Sequence, residues 1–89
     1  MAGKIYSSRE LSAFCLQISL LLKAAVPLEE GLSIMAEDAV SEEERELLHT
    51  MSEDVELGEP FYSAMEKTGR FPAYVVRMAK LGQQSGTNS

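Results

Sequence analysis

The side chains most able to do chemistry here are the single histidine and the single cysteine, His49 and Cys15. A zinc site needs three or four Cys or His ligands, so one chain cannot assemble the usual kind from these two residues. Cys15 lies in an apolar stretch with Phe14 and Ile18, where a thiol usually acts as a small core residue, so a Cys-His nucleophile pair is not expected. His49 lies in a helical pattern among acids. It is either the phosphate acceptor of a helical phosphotransfer domain or a histidine at the solvent edge.

Acids at 53, 54, 56 and 59 lie close together, as in a calcium loop, but they do not follow the D-x-[DN]-x-[DN]-G-x5-E register of an EF-hand. We interpret them as a solvated helical face, with a partner surface or an adventitious cation as the alternative. The six glycines form neither a G-x-G-x-x-G turn nor a G-x-x-x-x-G-K-[ST] phosphate loop. We therefore expect no nucleotide or other cofactor, no metal and no enzyme activity.

The charge of the chain is segregated along the sequence. The net charge is −6, which disfavours a nucleic acid partner, and twelve of the fourteen acids lie between Glu29 and Glu59 with Arg45 as the only base among them. Such a surface either binds a basic partner or keeps the domain soluble. The candidate partner surface consists of Glu42, Glu43, Glu44, Glu46 and Glu53.

Capping and proline signals predict where helices begin. Ser7 with Glu10, and Ser41 with Glu44, have the capping-box spacing that satisfies free backbone amides at a helix start. Proline opens helices rather than continuing them, and each of the three prolines precedes an apolar helical pattern. The expected fold is a single all-α domain over residues 1–89, a compact antiparallel bundle. Its predicted helices cover about 8–25, 28–38, 42–57, 60–68 and 71–82, and residues 83–89 form a frayed tail.

Apolar residues at helical spacing predict the core. The residues predicted to face it are Leu11, Phe14, Cys15, Ile18, Leu21, Leu22 and Ala25 in the first helix, Leu28, Leu32, Met35, Ala36 and Ala39 in the second, Leu47, Leu48, Met51 and Val55 in the third, Phe61, Ala64 and Met65 in the fourth, and Phe71, Val75, Met78 and Ala79 in the fifth. Leu16 and Leu20 lie beside the stripe of the first helix, which should therefore contact more than one neighbour.

Four segments, in this order, resemble the F-protein family of type II secretion systems. Residues 14–28, FCLQISLLLKAAVPL, are similar to its opening phenylalanine, apolar helix and Ala-Gly-x-Pro-Leu turn. Residues 57–65, LGEPFYSAM, resemble its glycine turn and short helix, and residues 69–74, GRFPAY, resemble its Phe-Pro start of the fifth helix. Residues 82–86, GQQSG, resemble its Gly-Glu-x-Ser-Gly signature. The positions expected to be structural are Phe14, Pro27, Leu28, Gly58, Phe71, Pro72, Gly82, Ser85 and Gly86.

Two positions depart from the family pattern. Ala25 stands where glycine is usual, which predicts a turn that does not need a positive φ there. Gln83 replaces the usual glutamate, so we do not expect an ionic or metal-binding role at that position.

The resemblance implies the cytoplasmic domain of a bacterial inner-membrane platform protein of type II secretion or type IV pilus assembly. Its implied role is a scaffold that links the assembly ATPase and other inner-membrane components to pilus or pseudopilus growth. It also implies six antiparallel helices, so we expect this sequence to be truncated before the sixth helix and before a transmembrane segment. Removing that helix should expose Leu16 and Leu20 and favour a homo-oligomer through the first helix or the end of the fifth. A generic regulatory helical bundle is the alternative.

Overall fold

A computed structural model describes residues 4–86 of the chain, with side chains through residue 82. The fold is all-α, as predicted, with helices α1 (Ser8–Lys23), α2 (Leu28–Glu37), α3 (Glu42–Glu56), α4 (Phe61–Thr68) and α5 (Ala73–Gly86). α2 and α3 form the most extensive helix pair, α1 lies against α2, and α4 contacts both α3 and α5. None of these described helices has the length and hydropathy needed to cross a bilayer.

The capping box predicted at Ser7 is confirmed. The Glu10 amide donates to Ser7 Oγ at 3.2 Å, and the Ser7 amide donates to Glu10 Oε1 at 2.8 Å. The second of these bonds holds the pKa of Glu10 below its usual value. At the start of α3 only half of the predicted box forms, because Ser41 Oγ accepts from the Glu44 amide at 3.1 Å while the Glu44 carboxylate is bonded elsewhere.

Proline and glycine set the remaining boundaries. Pro27 and Pro60 cap the starts of α2 and α4 in an extended conformation, with ψ of 148° and 147°. Gly58 and Gly69 have φ of 105° and 70°, in the region where a Cβ is disfavoured. The predicted ends of α3 and α4 therefore fall where the chain needs glycine to turn.

The turn after α1 contradicts the prediction made from Ala25. Ala25 has φ of 64° and is the one non-glycine residue with a positive φ in the part of the chain described. The Ala25 amide donates to the Leu22 carbonyl and the Val26 amide donates to the Leu21 carbonyl, both at 3.0 Å, which is the Schellman pattern of a helix end. That pattern requires a residue in the left-handed conformation at position 25. The turn therefore has this conformation even with alanine there, and the alanine backbone is strained.

Replacing Ala25 by glycine should therefore stabilise the domain. We expect Ala25→Gly to raise the free energy of unfolding by about 1 kcal/mol, since the left-handed conformation costs alanine roughly 1–2 kcal/mol and glycine loses part of that gain through a freer unfolded chain. Urea denaturation measures this change. The control is Ala24→Gly, because Ala24 has φ of −82° and offers no strain to relieve. A loss of stability in both variants would contradict the interpretation.

The core lies between α2 and α3 and extends to an aromatic cluster. Leu32 and Met51 are both 0% exposed. The Phe71 ring lies 5.1 Å from the rings of Phe14 and Tyr6, measured between centroids. Burial of these side chains supplies most of the stabilisation of a domain this small.

Most predicted core residues are buried or partly buried, but four are not. The prediction was wrong for Cys15, Leu22, Ala25 and Met78, which are exposed. The apolar arc of α1 is wider than the strip that its neighbours cover. The buried residues of α1 lie along one side of this apolar arc; they are Leu11, Phe14 and Ile18.

The fifth helix is longer than predicted. α5 continues through Gly82 to Gly86, whereas the sequence suggested an end at Gly82. A glycine inside a helix costs only about 1 kcal/mol relative to alanine, so it weakens the helix without ending it. The rest of the predicted tail, residues 87–89, lies outside the described residues.

Candidate interaction surface

Four of the five exposed carboxylates of α3 belong to the predicted partner surface. Glu42, Glu43, Glu46 and Glu53 are exposed and lie opposite the buried side chains of Leu48 and Met51, as their helical spacing requires; we call these four the α3 acidic face.

Two members of this face have a neighbouring base. Glu42 Oε1 lies 3.0 Å from Arg45 Nη1, and Glu53 Oε2 lies 3.8 Å from His49 Nδ1. Glu43 and Glu46 have no ion pair with any residue that the structure describes. The face therefore presents two carboxylates without an ion-pair partner, of which Glu43 lies in the first turn, where the positive end of the helix dipole favours it.

Glu44, which was predicted to join this surface, points the other way. The Tyr6 hydroxyl donates to both of its carboxylate oxygens, at 2.8 Å to Oε2 and 3.0 Å to Oε1, and Glu44 is half-buried. Its carboxylate therefore fixes the N-terminal segment to α3. Nothing in the spacing of the sequence pairs these residues, which are 38 positions apart.

Residues 4–7 form a strap across the start of α3 and the turn between α4 and α5. The Tyr6 amide donates to the Arg70 carbonyl, and Arg70 Nε donates to the Lys4 carbonyl, both at 2.7 Å. The Arg70 guanidinium also lies 4.5 Å from the centre of the Tyr6 ring. Burial first, and then the hydrogen bond to Glu44, raise the pKa of Tyr6 far above its usual value, so the phenol stays neutral and keeps donating.

An apolar hollow separates α1 from α4 and α5. Its volume is about 420 Å³, and it is lined by Phe14, Cys15, Ile18, Ser19, Leu22, Phe61, Met65, Val75, Met78 and Ala79. Elsewhere on α1, Leu16 and Leu20 are 60% and 57% exposed. The prediction from the sequence that these two leucines are exposed is confirmed.

Comparison with known proteins identifies the family. The sequence model described as "Type II secretion system (T2SS), protein F" matches residues 14–88. The chain belongs to this family. Its relatives include the type II secretion system protein F of Pseudomonas aeruginosa, 28% identical over 86 residues, which cover 97% of this chain and 21% of that protein.

Two further relatives carry other names. The type IV pilus assembly protein TapC of Aeromonas hydrophila is 37% identical over 71 residues, or 79% of this chain and 17% of that protein. The protein transport protein HofC homolog of Escherichia coli K12 is 34% identical over 71 residues, which cover 79% of this chain and 18% of that protein. The chain thus spans about a fifth of the length of these curated relatives. No solved structure gives a significant match.

The expected signature positions of the protein F family support helix ends and core contacts. Phe14 and Phe71 are buried against each other, Pro27 caps α2, and Gly58 supplies a positive φ. Pro72 and Leu28 are half-buried, and Gly82 lies within α5. The surroundings of Gln83, which departs from the family pattern, and of Ser85 and Gly86 lie outside the side-chain description, which ends at residue 82.

The single cysteine and the single histidine lie on different helices, Cys15 on α1 and His49 on α3. Within the described part of the chain, no three His, Cys, Asp or Glu side chains are placed to hold a metal ion. His49 is exposed on α3, as both hypotheses about it required. The helices are short for a phosphotransfer bundle, with 10 residues in α2 and 8 in α4, and membership in the protein F family gives that alternative no support.

Proposed function

We propose that this chain is a non-catalytic scaffold domain on the cytoplasmic side of the inner-membrane platform in type II secretion or type IV pilus assembly. It links the assembly ATPase and other platform components to pilus or pseudopilus growth. The names of its relatives, which belong to both kinds of machine, support this proposal. The partners themselves are part of the proposal.

The observation that carries the proposal is the α3 acidic face. Glu44 has a structural task in this fold, because it holds Tyr6. Glu43 and Glu46 make no ion pair in the described structure, so two like charges lie near each other on this face. Uncompensated charge of one sign attracts a basic partner patch and accelerates the encounter with it. The α3 acidic face is therefore the surface through which we expect the domain to dock.

Reversing these two charges tests the docking surface. We expect Glu43→Lys with Glu46→Lys to weaken retention of the assembly ATPase or a neighbouring platform component by about tenfold, mainly through slower association. The measurement is a pull-down followed by surface plasmon resonance at low and moderate salt.

The matched control makes the same change of charge elsewhere, with Glu30→Lys on α2 and Glu66→Lys on α4, both of which are exposed. Folding should survive in both double variants, because exposed substitutions usually change stability by no more than about 0.5 kcal/mol. Undiminished binding by the Glu43 and Glu46 variant would show that the acidic face only keeps the domain soluble. An equal loss in the control would mean that total charge, and not this surface, governs binding.

Self-association remains a prediction. The exposed Leu16 and Leu20 offer α1 as the contact, and the apolar hollow beside α5 offers a second one. A symmetric dimer through such a patch is the commonest way for a protein to cover it.

A further inference from the structure

The outward side of α5 combines apolar and basic side chains. Tyr74, Arg77, Met78, Lys80 and Leu81 are all exposed and occupy neighbouring positions around the helix; we call them the α5 outer face. Tyr74 is 57% and Met78 65% exposed, which is unusual for large apolar side chains so close together. The two bases lie along one edge of this apolar strip.

The charge of this region is opposite to that of the whole molecule. After Glu66 the sequence has no acid, although the chain carries a net charge of −6. Lys67 is neutralised by Glu59 at 2.8 Å and Asp54 at 3.7 Å, and Arg70 is bonded to the strap.

Arg77 and Lys80, in contrast, form no ion pair with the residues described. Lys80 Nζ lies 5.6 Å from the centre of the Tyr62 ring, and Glu66 is the one acid that lines the same hollow as these two bases. The net charge beside the apolar strip is therefore positive.

We propose that the α5 outer face binds the surface of an anionic phospholipid bilayer. A helix lies in the membrane interface when its apolar side chains enter the headgroup boundary while Lys and Arg extend to the phosphates. Tyr74 and Met78 supply the apolar contact, tyrosine being favoured at that depth, and Arg77 and Lys80 supply the electrostatic one.

A bilayer fits this surface better than an acidic protein does. Protein partners usually anchor a side chain in an enclosed pocket that excludes water. The α5 outer face instead has its apolar residues spread along one helix, with Met78 beside the apolar hollow and both bases beside the hollow that Glu66 also lines. A soft, extended, negatively charged surface can cover such a strip.

Binding through α5 also orients the domain. In the described structure α3 does not contact α5, because α4 lies between them. The α3 acidic face is therefore not part of the surface that would meet the bilayer, and an anionic surface repels it. This inference does not depend on the proposed partner of α3, and each can fail without the other.

The test uses the 89-residue chain and two kinds of vesicle, one rich in phosphatidylglycerol and one of phosphatidylcholine alone. We expect co-sedimentation with the anionic vesicles at low ionic strength, loss of binding as salt rises, and little binding to the zwitterionic vesicles. Arg77→Gln with Lys80→Gln should weaken vesicle binding about twenty-five-fold, since each base contributes a factor of about five near such a surface. Met78→Ser should weaken it as well.

The matched controls remove the same charge or a similar apolar group elsewhere. Arg9→Gln with Lys23→Gln changes two exposed bases of α1, and Val40→Ser changes a fully exposed apolar residue. Both should bind vesicles as the unchanged chain does. Failure to bind anionic vesicles, equal binding to both kinds of vesicle, or equal losses in the controls would overturn the proposal. Binding of polyglutamate in place of vesicles, lost in the Arg77 and Lys80 variant, would assign the face to an acidic protein instead.

Discussion

Leu32→Ala is expected to lower the free energy of unfolding by about 2–5 kcal/mol, the range for a leucine removed from a sealed core. Leu32 is 0% exposed and belongs to the same core cluster as Met51. The surrounding side chains therefore cannot easily fill the cavity that the substitution leaves. In a domain of this size the change should lower the melting temperature by about 10 °C or more. Thermal and urea unfolding followed by circular dichroism measure the effect.

Leu16→Ala is the matched control, because it removes the same atoms from an exposed helical position. It should change stability by no more than about 0.5 kcal/mol. If the two variants lost equal stability, Leu32 would not occupy the sealed site described here.

Tyr6→Phe is expected to cost about 1.5 kcal/mol, the low end of the range for a hydrogen bond to a charged group, because Glu44 is only half-buried. The ring contacts with Phe71 and Arg70 can persist, so the variant isolates the hydroxyl. Tyr74→Phe is the control, since that side chain is exposed. Equal stabilities of the Tyr6 and Tyr74 variants would show that the bond to Glu44 contributes little.

The pH dependence gives a second measurement of the same contact. The pKa of Tyr6 is raised in the folded state, while a tyrosine in the unfolded chain ionises near pH 10. The unfolded state therefore loses its proton first, and the contribution of Tyr6 is complete below about pH 10 and declines as pH rises further. We expect the stability difference between the unchanged chain and Tyr6→Phe to be constant at neutral pH and to shrink in alkali. A constant difference throughout would contradict this assignment.

Several features of the domain follow from sequence alone because their causes are local. The capping box at Ser7 and Glu10 joins groups three residues apart, and Pro27 and Pro60 restrict the backbone of their own positions, so each helix start can be predicted without knowing what packs nearby. Helical spacing likewise identified Leu32 and Met51 as core. The segregation of charge along the chain could also be predicted, because it depends only on the order of the residues.

Tertiary contacts decided the rest. Cys15 and Met78 have the spacing of core residues, but only the arrangement of neighbouring helices determines how wide an apolar arc is covered. Glu44 has the spacing of a capping residue and the surroundings of an acidic surface, yet its carboxylate goes to a tyrosine that the fold brings from 38 positions away. The prediction for Ala25 failed for a local reason, because the two backbone hydrogen bonds that end α1, to Leu22 and Leu21, hold residue 25 at a positive φ. Local preferences of roughly 1 kcal/mol yield when packing elsewhere in the bundle contributes more.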